Sequence, residues 1–464
     1  MAKSQELKLF FFPLMAPGHL IPMINLANLF AMHGAKTTIL TTPQCTSLIQ
    51  NQINRFHLSG HSINLLVLSS SEIGNENLTS QEQSTSFFEA IEDLREPFDR
   101  SLKEHQPNCV VTDMYLPWTQ EIASQNKIPR LLFHTMGYFA LCVIDTLDNH
   151  TTNGCVNVDQ DEMVTIHGLP HLLQLKKSQL HDSVFTRNKF SEFMESVTES
   201  ELKSHGAIVN TFYELESQYA DHYTKKIGRK AWHVGPLSLV NSPSLSQTNY
   251  HERIMTWLDS KQLKSVLYIC FGSLSHPTKI QLEEIAHGLE NANHHFIWVM
   301  RTTEEDVQEK EILTEKGKGL VIKGWAPQTE ILSHSSICGF MTHCGWNSVL
   351  ESITGGVPML TWPMFAEQFY NEKLVVDVIG VGVEIGVQEW GRREEEKEVI
   401  GRYMVERGVR RVMDEGEEKQ RLGERVNSMK EKARRAVENG GSSCLEMERL
   451  LQEICAWQKL NGDN

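Results

Sequence analysis

A chain of 464 residues, 40% hydrophobic and 22% charged, has ordinary globular composition and enough length for two cores rather than one. Its net charge of −15 argues against nucleic acid or an anionic membrane surface as a partner, and it offers no long-range attraction to an anionic substrate. Nine cysteines without a CxxC fit free thiols in a reducing cytoplasm, and no apolar run approaches the ~18 residues of a membrane helix. The start, Met1 to Leu7, leads into a strand-like run rather than a signal peptide, so the sequons at Asn77 and Asn149 are expected to be unused.

In chain order, Leu7 to Pro13 reads as a fully buried strand. A loop, Leu14 to His19, follows. Leu20 to Met32 has helical spacing, and Ala35 to Thr41 is a second strand. This opening, strand–Gly loop–helix–strand, is that of an α/β sheet, and it sets His19 at the carboxyl end of the first strand, where parallel sheets place ligands. From position alone, a histidine satisfied by the backbone at a helix start is the more common reading. Val110 to Met114 is a further strand ending on Asp113, a position where aspartate usually caps or turns the chain. Asp93 and Asp99 lie in a charge-rich helical stretch and read as solvated. Leu131 to Phe133 runs into His134, read as structural, and Thr135. Ser69 to Ser86 and Asp145 to Glu162 read as long polar surface loops. Asp159-Gln160-Asp161 sits in the second of these with no strand before it, so it reads as solvated charge rather than a metal site.

Gly206 to Asn210 and Ala231 to Pro236 are strands, and 240–250 has linker composition. Ser265 to Phe271 opens a second half as the first half opened, with Gly272 and Ser273 after the strand. Phe296 to Met300 and Gly319 to Ile322 follow. From Trp325 to Gln368 come two strand–loop–helix passages: strand Gly339 to His343, a turn at Cys344-Gly345, a helix from Trp346 to Ile353 closed by Gly355-Gly356, then strand Val357 to Trp362. A strand that turns through glycine into a helix gathers N–H groups and the positive helix end at one spot, which suits a phosphate. Asn347 and Glu351 share one face of that helix. Beyond Arg392 the alternating Arg, Lys and Glu indicate exposed helices. After Gly440-Gly441, Ser442 and Ser443 could cap a last helix from Cys444 to about Lys459.

The whole run WAPQTEILSHSSICGFMTHCGWNSVLESITGGVPMLTWPMFAEQ resembles, without a gap, the signature box of the plant secondary-product glycosyltransferases, which use UDP-sugars and belong to family 1. The resemblance implies that Trp325 stacks on uracil, that Ala326 and Gln328 bond the nucleoside, and that His343, with Asn347 and Ser348, holds the diphosphate. It implies that Glu351 takes the ribose hydroxyls and that Glu367 and Gln368 grip the sugar. Many members carry Asp where this chain has Glu367; the charge is kept. Gln368 and Trp346 agree with glucose as the sugar. It also implies that His19 is the general base, that Asp113 orients it, that Thr135 meets the sugar, and that Ser273 contacts the donor. Each role suits its chemistry: an aromatic face for a base, N–H groups for a diphosphate, a carboxylate for vicinal hydroxyls.

The fold implied is α/β of the GT-B type, two Rossmann-like domains facing across a cleft. Residues 1–240 would form the acceptor-binding domain, 241–250 a linker, 251–443 the UDP-sugar domain, and 444–464 a helix crossing back. The acceptor pocket is the least specified part. Met15, Phe87, Phe88, Leu116, Trp118, Phe139, Phe185 and Ala366 are its candidates, although for each one singly plain core is the favoured reading. The expectation is an inverting, cytoplasmic, monomeric transferase of glucose to an apolar hydroxylated metabolite, a triterpenoid, steroid or flavonoid or a glycoside of one, with no metal required. A UDP-sugar-binding protein without catalysis is the alternative. A Rossmann oxidoreductase is weaker still, because no G-x-G-x-x-G follows either opening strand.

Overall fold

The computed structural model describes residues 7–58, 63–68, 91–148, 156–160, 162–240, 249–273, 275, 277–300, 311–313, 317–391 and 398–462. The chain divides into two units, Met1–Tyr138 with Phe185–Ser244 and Arg435–Asn464, and Phe139–Val184 with Leu245–Arg434. The strands, in chain order, are β1 (Lys8–Phe12), β2 (Lys36–Thr41), β3 (Ile63–Val67), β4 (Cys109–Asp113) and β5 (Arg130–His134). Next come β6 (Val156–Val158), β7 (Met163–Ile166), β8 (Leu173–Lys176), β9 (Gly206–Val209) and β10 (Ala231–His233).

The first unit is a seven-stranded parallel sheet, order β10-β9-β5-β4-β1-β2-β3. Its centre explains why β1 shows no polar alternation. Leu9 and Phe11 pack into one apolar layer, with the Pro17–Met32 helix, while Phe10 and Phe12 pack into another, with Phe98, Leu102 and Trp118. A strand covered on both faces has no solvent side on which to place polar residues. The Ser442–Gly462 helix belongs to this unit and buries Met447, Leu450 and Ile454 in the first layer. Ser442 and Ser443, expected as caps, instead dock it: their hydroxyls donate to the Glu214 carboxylate at 2.8 Å and to the Gly235 carbonyl at 2.5 Å.

The second unit holds β11 (Val266–Cys270), β12 (His295–Met300), β13 (Glu311–Leu313), β14 (Gly319–Lys323), β15 (Ile337–Thr342), β16 (Met359–Thr361) and β17 (Gly382–Glu384). They form a second sheet, order β13-β14-β12-β11-β15-β16-β17, parallel except for β13 at its edge. A small antiparallel sheet, β6-β7-β8, groups with this unit. The reading of 145–162 as a loop is thus corrected. The Tyr138–Asp148 helix ends within it, and β6 lies inside it. Asp159 is a turn residue whose Oδ1 accepts the Met163 N–H at 2.9 Å, and Asp161 lies outside the described residues. The stretch 69–86 also lies outside them.

Candidate active site

Three neighbouring strands of the first sheet, β5, β4 and β1, deliver three polar side chains at their carboxyl ends. Asp113 closes β4 and is fully buried. His19 follows β1 and Thr135 follows β5. His19 is not in a loop, as its neighbours suggested. It is the third residue of the Pro17–Met32 helix, because Pro17 can begin a helix at the first position, where its missing N–H costs nothing. From there Nδ1 of His19 lies 2.8 Å from Oδ2 of Asp113 and 3.2 Å from Oγ1 of Thr135. The other carboxylate oxygen accepts the Tyr115 N–H at 3.0 Å. A carboxylate fixed this way holds the proton on Nδ1 and leaves the Nε2 lone pair for a proton from outside.

Behind the pair sits Arg130, a fully buried side chain. It donates to Thr112, Ser200 and Ser204 at 2.7 Å each and, at 3.4 Å, to the carbonyls of Asp113 and Leu116. Burial pulls its pKa down to about 9, with Glu201 and Asp113 opposing. His134 is buried in the same layer, against Glu201 and Tyr223.

Of the proposed acceptor residues, Leu116 and Trp118 are core. Trp118 packs its ring on Phe12 and Phe98 under the Arg95 guanidinium, and Leu116 lies in the same apolar layer. The residue between Asp113 and Leu116 that does approach His19 is Tyr115. Its ring centroid is 5.5 Å from the imidazole and stacks on Phe193 at 6.0 Å. Beyond a strand end the period of two is lost, so no sequence pattern singled it out. Met15 is half-buried and accepts the Thr41 hydroxyl at 3.8 Å, Phe139 is buried, and Phe185 is partly exposed. Phe87 and Phe88 lie outside the described residues.

In the second unit, the singled-out residues likewise follow the carboxyl ends of β11, β14, β15 and β16. Trp325, just after β14, is 59% exposed, an unusual state for an indole, and its carbonyl accepts the Tyr250 hydroxyl at 3.2 Å. Ala326 is buried beside it. Gln328 opens the next helix and is committed within the protein. Its amide nitrogen donates to Ser348 at 3.0 Å and Glu351 at 2.6 Å, and its oxygen accepts from Tyr268 at 3.2 Å. Residues expected as three separate contacts are therefore one network. Burial pushes the Glu351 carboxyl up to about 7, against the opposing bond from Gln328.

β15 ends at Thr342, one residue short of the expected His343, and the chain turns through His343, Cys344 at φ 65° and Gly345 into the Trp346–Gly355 helix, whose start has no side-chain cap. His343 fills space that two glycines leave open. A Cβ on Gly272 would lie 2.5 Å from its Nε2, and one on Gly345 would lie 2.4 Å away. Burial lowers its pKa to about 4, so the ring is neutral at ordinary pH, and its buried Nδ1 has no hydrogen-bond partner among the described residues. Trp346 is buried, Asn347 is partly exposed, and Ser273 follows Gly272 as a partly exposed bend.

Past β16, exposed Ala366 takes φ 55°, and Glu367 stands before the Gln368–Lys373 helix. Gln368 is buried, with its oxygen accepting the Met364 and Phe365 N–H groups at 2.9 and 3.1 Å, so its NH2 is the end left for other contacts. Asn371, which sequence reading passed over, donates to the Cys344 carbonyl at 2.9 Å and to Glu367 at 3.4 Å, tying the His343 turn to that carboxylate. Among the described residues no group of three His, Cys, Asp or Glu side chains could hold a metal, and no helix is long and apolar enough to cross a membrane.

The family model for UDP-glucoronosyl and UDP-glucosyl transferases matches residues 98–396. The scopoletin glucosyltransferase of Nicotiana tabacum is 40% identical, over 97% of this chain and 98% of its own. The nuatigenin 3-beta-glucosyltransferase of Solanum aculeatissimum is also 40% identical, over 97% of each. A solved Glycyrrhiza uralensis UDP-glycosyltransferase, in complex with glycyrrhetinic acid 3-O-monoglucuronide, superposes with a TM-score of 0.89 at 36% identity, covering 99% of this chain and 98% of that one.

Proposed function

From the premise that this chain belongs to the UDP-glycosyltransferase family, as a hexosyltransferase with two Rossmann-like α/β units of the GT-B class, we propose that it transfers glucose with inversion, using His19 as general base. The observation that carries the reading is the His19–Asp113 pair, with Nδ1 held at 2.8 Å by a fully buried carboxylate. Nε2 takes the proton of an acceptor hydroxyl. The oxygen then bonds to the anomeric carbon as the bond from that carbon to the UDP oxygen breaks, and the electron pair leaves with UDP. Asp113 stays ionised and steadies the imidazolium.

The second unit supplies the donor contacts. Trp325 offers an exposed face to uracil, Glu351 takes the ribose hydroxyls, and Glu367 with the Gln368 NH2 takes the sugar. Ser273, Asn347, Ser348 and the helix start, with the neutral His343 as a donor, meet the charge growing on UDP. Those groups stand in for a metal in this reading, so chelation is expected to leave turnover unchanged.

For the acceptor we favour an apolar hydroxylated ring system. The relatives named for scopoletin and nuatigenin, and the structure holding a glycyrrhetinic acid glucuronide, support that class, as does the Tyr115–Phe193 stack beside His19. The free thiols among the described residues suit a reducing cytoplasm. The test is UDP release from UDP-glucose against sapogenins, coumarins and flavonols, with His19→Ala alongside. Acceptor-dependent release that drops about 10²–10⁴-fold in the variant is expected. Undiminished release would refute the base assignment. UDP binding without release for any acceptor would favour a sugar-nucleotide-binding protein.

A further inference from the structure

We infer that Trp390 is a positioning residue for the donor sugar, acting through the loop that carries Glu367 and Gln368. The inference rests on the reading of that pair as the sugar's grip. The indole Nε1–H of Trp390 donates to the Ala366 carbonyl at 3.0 Å, and the next N–H, of Gly391, donates to the Met364 carbonyl at 2.9 Å. Ala366 is a non-glycine residue in the left-handed region, φ 55°, a conformation that L-residues hold only when neighbours impose it. On the other side of the loop, Gln368 binds the Met364 and Phe365 N–H groups. The loop is thus pinned on both sides, and the indole holds the residue immediately before Glu367.

The far end of this strap is anchored to a different part of the second unit. The Trp390 N–H donates to the Ser178 carbonyl at 2.7 Å, and the indole meets His181 edge-on at 4.5 Å. The Ser178 hydroxyl donates to the Gln388 carbonyl at 2.6 Å and the Gln179 amide to the Val387 carbonyl at 3.0 Å. These bonds are independent of the indole N–H. Replacing the indole by a phenyl ring should therefore keep the strap seated and remove only its bond to Ala366.

The experiment is Trp390→Phe, with kcat/KM for UDP-glucose and the inhibition constant for UDP measured on the same preparation. UDP lacks the sugar, so it reads only the nucleotide half of the site. A fall of roughly threefold to tenfold in kcat/KM for UDP-glucose, carried mostly by KM, is expected from the loss of one hydrogen bond to an exposed loop, with the UDP constant unmoved. Unchanged donor kinetics would overturn the inference, and so would a parallel rise in the UDP constant, which would mean general loosening of the unit. Glu367→Gln and Gln368→Asn run alongside. If both leave UDP-glucose kinetics unchanged, the underlying reading fails; if they impair them while Trp390→Phe does not, the strap alone fails.

Discussion

In the first unit both oxygens of Asp113 are engaged, one by His19 and one by the Tyr115 N–H. In the second, Nδ1 of His343 is buried without a hydrogen-bond partner among the described residues, and Glu351 is desolvated enough for its carboxyl to rise to about 7. The two sites stand on sheets of the same kind, at the same ends of their strands, yet they are built differently. The dyad satisfies itself: three adjacent strands set its geometry, and the buried Arg130 braces the chain behind it. The donor half holds polar groups at a cost that a diphosphate and a ribose would offset. In the proposed reading, that cost is what a bound nucleotide offsets.

The largest expected effect tests the self-satisfied side. In Asp113→Asn the amide NH2 facing His19 cannot accept from Nδ1–H. The imidazole then takes the opposite tautomer, with its proton on Nε2, where the lone pair is needed. Turnover should fall by about 10²–10⁴-fold, while KM for UDP-glucose holds. A variant turning over at nearly the parent rate would mean the pair is structural.

The next effect belongs to the donor side. Gly345→Ala puts a Cβ 2.4 Å from His343 Nε2, at a position with an ordinary φ of −59°. Gly272→Ala does the same at 2.5 Å and adds the strain of φ +79°. Both should weaken UDP binding by roughly tenfold or more, Gly272→Ala further and with a lower Tm. Calorimetric UDP titration of the two variants checks this, and unchanged affinity would remove His343 from the diphosphate site.

A smaller effect depends on pH. The Glu351 carboxyl, raised to about 7 by burial, is largely protonated below that pH. If ribose hydroxyls donate to its ionised form, binding releases a proton. KM for UDP-glucose, which has no phosphate titrating near neutrality, should then fall as pH rises through about 7 and level off above it. The change should approach tenfold per pH unit on the acid side. Glu351→Gln should flatten the curve, and a curve that keeps its slope in the variant would assign the titration to another group.

The same contrast governs what the sequence revealed. In the second unit strands β11, β12, β14, β15 and β16 and the Trp346–Gly355 helix were legible, because the strand–turn–helix passages from Trp325 to Gln368 are local and the apolar runs are buried on both faces, whereas the six-residue helices Gln328–Ser333 and Gln368–Lys373 were too short to show a period. On the first side, Asp113 at its strand end was legible, but His19's place inside a helix was obscured by reading Pro17 as a loop residue rather than a helix start. Tyr115 was passed over for Leu116 and Trp118, since which residue turns toward His19 beyond a strand is set by packing, not by period. The small sheet was hidden by strands of three and four residues in polar surroundings. Trp390 had no signal at all: its partners, Ser178, His181 and Ala366, are joined to it only by tertiary structure.

A second desolvated carboxyl in the second unit tests whether such a cost always serves a ligand. Glu372 is buried under β16, where its Oε2 accepts the Thr361 hydroxyl at 2.5 Å. Burial pushes its carboxyl up to about 8, with the Thr361 bond opposing and Glu384 adding to the rise. A raised acid binds its proton more tightly in the folded chain than in the unfolded one. Its contribution to stability is therefore full below the unfolded value near 4.5, declines as pH rises, and is gone above about 8. Glu372→Gln keeps an acceptor for Thr361 and cannot ionise. The variant should match the parent in stability near pH 4.5 and exceed it by about 1–3 kcal/mol at pH 8.5, read from urea unfolding at both pH values. Its kinetics should not change, because no donor contact depends on it. Parallel stability curves would mean that Glu372 is not desolvated as its burial implies. A change in KM for UDP-glucose would place it, like Glu351, among the groups whose cost the nucleotide offsets.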